Sequence, residues 1–175
     1  MELPIIKNEI KTPRLTIKPY SAEDAEALVS LLTDEELTKT FMVPVFESHE
    51  QALKLAEKLI LFSSPQDTRY LECGIYADGR LVGFVNDCGA ENDTIELGYA
   101  IAASEKGKGY ATEAVKAVIG ELREMGFHTV RAGYFEENSA SRRVMEKCGM
   151  TPVPYTETVT YRGELHNCLY CEIKL

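Results

Sequence analysis

The sequence predicts one α/β (α+β) domain over residues 1–175, with helices flanking a mixed, mostly antiparallel sheet of about seven strands. Three observations lead there. Segments with strand period and helix period alternate along the chain. Asp78-Gly79 and Arg162-Gly163 each separate two alternating apolar runs, as hairpin turns do. The helix-period stretch 109–125 lies between two strand-period stretches, the arrangement of a crossover connection.

In chain order, Arg14–Tyr20 alternates apolar and polar residues and reads as a strand. Ser21, with Asp24 at the capping-box position, starts a helix whose stripe is Ala25, Leu28, Leu31 and Leu32. Ser48 and Gln51 open a second helix with Ala52, Leu55, Leu59 and Phe62 inward, stopped by Ser63-Ser64-Pro65. Strands are expected at 69–77, 80–88 and 94–102, and then the helix 109–125, stopped by Gly126. A strand (128–135), a helix (138–148) and two strands (151–160 and 165–174) close the chain.

A length of 175 residues supports a real core, and 45% apolar with 27% charged residues is ordinary for a globular protein. There is no apolar run of roughly 18 residues and no secretory pattern at the amino terminus, so no membrane partner and a cytoplasmic address are expected. A net charge of −9 argues against nucleic acid and suits a cationic substrate. The five cysteines read as free, buried thiols. Cys168-x-x-Cys171 resembles half a zinc site, but three residues along a strand place the two thiols on opposite faces. His49, His128 and His166 show no ligand spacing, so no metal is expected.

Ser104-Glu-Lys106-Gly107-Lys108-Gly109-Tyr110-Ala111 joins a strand to a helix. Its glycines let backbone amides converge, and the free amides of a helix start suit a pyrophosphate. A tight turn without a ligand is the structural alternative. Neither the Rossmann nor the Walker spacing is present, because no third glycine and no Gly-Lys-(Ser/Thr) follows.

Three segments extend this pattern: Ile95-Glu96-Leu-Gly98-Tyr99-Ala-Ile101, then Gly107-Lys-Gly109-Tyr-Ala-Thr-Glu-Ala114, then Glu137-Asn138 through Gly149-Met150. In this order and spacing they resemble the GNAT acetyltransferase superfamily, in its ribosomal-protein N-terminal acetyltransferase branch. Thr12-Pro-Arg14-Leu15 is similar to that branch's opening. The resemblance implies an N-acetyltransferase that moves an acetyl group from acetyl-CoA, its cosubstrate, to a primary amine in a ternary complex. The acceptor is then a protein N-terminus or a small-molecule amine, and the protein a monomer or homodimer. A non-catalytic acyl-CoA sensor is the alternative.

The resemblance assigns coenzyme A to Lys106, Gly107, Lys108, Gly109, Tyr110 and Ala111, with Ile101 beside the pantetheine arm, Asn138 on that arm, and Arg142, Arg143 and Lys147 as candidates for the 3′-phosphate, a solvated helix face being their alternative reading. The chain departs at Ser104, where the family has Arg or Gln, which predicts weaker binding. Asn138 also suits a helix N-cap. Glu96 is the candidate base, its alternative an ordinary strand glutamate. The family's proton-donating tyrosine is here Met145, which moves that role to Ser141, with Tyr110 and Tyr134 as substitutes. An exposed helix serine is the bland reading of Ser141.

Overall fold

In a computed structural model, described over residues 2–175, the chain forms an eight-stranded sheet and five α-helices. The strands are β1 (Ile10–Lys11), β2 (Thr16–Lys18), β3 (Glu72–Ala77), β4 (Arg80–Glu91), β5 (Thr94–Ile101), β6 (Thr129–Phe135), β7 (Thr151–Tyr161) and β8 (Glu164–Lys174). The helices are α1 (Ala25–Leu32), α2 (Glu35–Thr38), α3 (His49–Phe62), α4 (Tyr110–Glu124) and α5 (Ser139–Lys147). The sheet order is β1-β2-β3-β4-β5-β6-β8-β7, antiparallel throughout except between β5 and β6.

The mixed, mostly antiparallel sheet is the expected one, with one strand more. The extra strand, β1, is a two-residue run that pairs back onto β2 across Pro13-Arg14, closed by the bond from Thr12 N to Leu15 O (2.9 Å). It is too short to show a period. Helix α2 was not expected either. Asp34 starts it, its carboxylate accepting from the amides of Glu36 (2.9 Å) and Leu37 (3.1 Å).

Alternate residues of β5 face opposite sides of the sheet. Ile95 and Leu97 join a core with Ala114, Val115, Val118 and Leu122 of α4 and Met145 of α5. Ala100 joins a second core with Leu28, Leu31 and Leu32 of α1 and Ala52 and Ala56 of α3. The two helical layers therefore lie on opposite faces. Cys171 belongs to the first core and Cys168 to a separate cluster with Phe135 and Tyr170, so the two thiols do lie on opposite faces of β8. All five cysteines are free, and Cys88, at a bulge in β4, is exposed rather than buried. Among the described residues no helix is long and apolar enough to cross a membrane.

Candidate active site

The one parallel pair in the sheet is incomplete. Thr94–Leu97 of β5 pairs with Thr129–Ala132 of β6, and beyond that point the two strands part. Gly98–Ile101 on one side and Gly133–Phe135 on the other then line a cleft of about 600 Å³. A bulge in β4 between Asp87 and Gly89 lies beside this fork; bulges bend a strand and increase its twist. The parted edge of β5 is free to pair with an extended ligand as with another strand.

The glycine loop closes one end of the cleft. Gly107 and Gly109 both adopt φ of +81°, a left-handed conformation that other residues reach only at a cost. None of the backbone amides of residues 107–112 finds a partner among the described residues. They form a concave row of donors at the amino end of α4, which is an anion site. The loop is braced on both sides. The buried Glu105 carboxylate bridges Arg80 (2.8 Å) and Lys108 (2.5 Å), and these cations hold it below the usual carboxylate range. Burial alone would raise the Glu113 carboxyl, but bonds from Thr12 Oγ1 (2.6 Å), Arg14 N (2.9 Å) and Arg14 Nε (2.7 Å) hold it below its ordinary value. Arg14 also reaches the carbonyl of Lys108 (2.6 Å). The segment before β2 thus clamps the first turn of α4.

Lys106, Gly107, Gly109, Tyr110, Ala111, Ile101 and Asn138 all line the cleft. Lys108 does not, because its ammonium is turned to Glu105; only its amide belongs to the row. Arg142 is also outside, its guanidinium paired with Glu146 one turn along α5 (2.9 Å). Arg143 and Lys147, on the other side of the same helix, line the cleft in its place. Asn138 caps α5, its side chain accepting from Ser141 N (3.2 Å).

Glu96 and Ser141 face the cleft from opposite sides of β5. Glu96 is half-buried, and burial pushes its carboxyl above the ordinary value; Arg131 opposes this and Glu157 adds to it. Arg131 cannot neutralise it fully, since it pairs with Glu172 (2.5 Å). Ser141 Oγ lies 3.0 Å from the hydroxyl of Tyr99, which projects from β5 toward α5. Burial, chiefly, raises the Tyr99 phenol well above its ordinary value, so it is held as a neutral donor. Met145 is fully buried behind them. Sequence reasoning missed Tyr99. Its odd position on β5, shared with the core residues Ile95 and Leu97, was the available signal.

A family model for the acetyltransferase (GNAT) domain matches residues 14–151. The uncharacterized N-acetyltransferase YnaD of Bacillus subtilis (strain 168) is 30% identical over 149 residues, covering 81% of each chain. A GNAT-family acetyltransferase from Bacillus anthracis superposes with a TM-score of 0.80 at 27% identity, over 95% of this chain and 98% of that one. RimL, a ribosomal-protein alpha-N-acetyltransferase solved with coenzyme A, reaches 0.84 at 18% identity, over 96% and 98%. A forked sheet with a row of free amides at the fork, together with these matches, defines an acetyltransferase. More narrowly, the chain belongs to the GNAT family.

Proposed function

We propose that this acetyltransferase, acting over 1–175 as one domain, moves the acetyl group of acetyl-CoA to a primary amine by direct attack in a ternary complex. The observation that carries the reading is the fork between β5 and β6, which opens onto the unpartnered amides of 107–112. The amides suit the pyrophosphate, with Lys106, Arg143 and Lys147 at that end for further phosphate charge. The free edge of β5 near Ile101 suits the pantetheine arm, with Asn138 across from it. RimL, solved with coenzyme A, has the same fold.

In this reading Glu96, directly or through water, takes a proton from the acceptor ammonium. The amine nitrogen bonds to the thioester carbon, the carbon–sulfur bond breaks, and the thiolate takes a proton from the Ser141–Tyr99 hydroxyl pair. The surplus proton left on the new amide nitrogen passes through water to restore that pair, and Glu96 gives its proton to solvent. A strand amide near Ile101 stabilises the oxyanion. Five free thiols among the described residues support a reducing, cytoplasmic setting.

The test is amine-dependent thiol release from acetyl-CoA over a panel of peptides and small amines, with acetyl-CoA affinity measured by calorimetry. Release that requires an amine, without an acylated enzyme in a quenched single turnover, is the expected result. Tight binding with no amine-dependent release would instead mark a sensor.

A further inference from the structure

One built feature of the cleft has no part in that chemistry. Gly133 of β6 is in register with Tyr170 of β8, and a Cβ on Gly133 would stand 2.7 Å from the tyrosine ring. The bare backbone is what lets the ring lie across β6 at the fork. Tyr170 is buried, and its hydroxyl donates to Glu157 Oε2 (2.9 Å). Glu157 stands on the edge strand β7, just past a register shift between Val153 and Thr156, and lines the cleft. One of its oxygens is held, and among the described residues its charge has no salt-bridge partner. Arg131 of β6 is engaged by Glu172.

The cleft is therefore divided by charge. Lys106, on the glycine loop, and Arg143 and Lys147, on α5, line it together with Glu105, whose charge is taken by Arg80 and Lys108, while the strands contribute the carboxylates Asp87, Glu96 and Glu157. Glu96 and Glu157 interact, since Glu157 raises the proton affinity of Glu96. Two carboxylates facing one cleft, Glu96 half-buried and Glu157 exposed, favour a cation between them. The amine to be acetylated loses its positive charge at Glu96, so it cannot balance both.

Resting on the amine-transfer reading, we propose that Glu157 is a specificity-determining residue that binds a second positive charge on the acceptor. The preferred acceptor is then a primary amine with another ammonium or guanidinium a few bonds away. Tyr170 is its positioning residue, fixing the carboxylate at the mouth of the fork.

The test compares 1,5-diaminopentane with hexylamine, a near-isostere in which methyl replaces the second ammonium. The wild type should favour the diamine by about tenfold or more in kcat/KM, the worth of one charged hydrogen bond. Glu157→Gln keeps an acceptor oxygen for Tyr170 but no charge, and should bring the ratio of the two amines close to one. Tyr170→Phe should raise KM for the diamine more than it lowers kcat. Acetyl-CoA affinity and thermal midpoint report whether either variant is merely misfolded; Glu157→Gln, at an exposed position, carries the test if Tyr170→Phe does not fold.

Equal loss on both amines in Glu157→Gln overturns the inference. So does a wild type that acetylates both amines equally, which leaves the transfer reading standing. If acetyl-CoA binds and no amine is acetylated, the transfer reading fails and this inference with it.

Discussion

At the scale of single residues the chemistry turns on how neighbours set proton affinities. Glu96 is raised by burial first, against the pull of Arg131. A base with a raised pKa must lose its proton before it acts, so the acid limb of kcat/KM should lie above the ordinary glutamate range. Removing Arg131 removes the one opposing influence. Arg131→Ala should move that limb to higher pH, and Glu96→Gln should abolish it with a loss of about 100- to 10,000-fold, both read from pH–rate profiles. A limb unmoved in Arg131→Ala would show that another group titrates. The Ser141–Tyr99 pair gives a second prediction. If the two hydroxyls act as one unit, Ser141→Ala and Tyr99→Phe each lower kcat by about 100-fold, and the double variant little further. Additive losses would separate them. Glu96 was legible from its place in the motif. Tyr99 was not, because which residue of α5 a strand tyrosine meets depends on how α5 packs.

At the scale of elements the glycine loop and α4 act as one device. Gly107 has open space where a Cβ would be, so the cost of a side chain there is conformational alone. Gly107→Ala should lower stability by about 1–2 kcal/mol in urea unfolding, the cost of a left-handed residue. The added methyl would also stand in the row of amides, and acetyl-CoA affinity should fall by about tenfold beyond any change in folding. Unchanged affinity would move the phosphate site elsewhere. The loop and the helix after it were readable locally, since glycines, a helix start and a stop at Gly126 are all near in sequence. The clamps were not. Arg14 and Glu113 are 99 residues apart, and only the folded chain brings them together. Likewise, Arg142 and Arg143 are alike in sequence, and the rotation of α5 alone decides which one faces the cleft.

At the scale of the whole molecule the sheet carries a buried acid. Glu72 of β3 accepts from the Tyr20 hydroxyl (2.8 Å), and burial raises its carboxyl from 4.5 to about 8, helped by Asp87 against Tyr20 and Lys7. The folded state therefore keeps a proton that the unfolded chain releases. Stability is fully present below about 4.5 and falls as pH rises toward 8, by up to about 1.4 kcal/mol per unit. Glu72→Gln, neutral throughout, should flatten this slope and be the more stable protein at pH 8 in denaturant titrations. An unchanged slope would place the titration on another group.

Local patterns alone determined the order of seven of the strands and of four helices (α1, α3, α4 and α5), the two hairpins, the loop that offers its amides, and the membership of the family whose motifs they are. These depend on period and on turn chemistry, which act over a few residues. Tertiary structure alone decided the eighth strand, the fork between β5 and β6, the partners of each charge, and the Gly133–Tyr170–Glu157 arrangement at its mouth. Those follow from strand register and helix rotation, which are set by contacts between residues far apart in the chain.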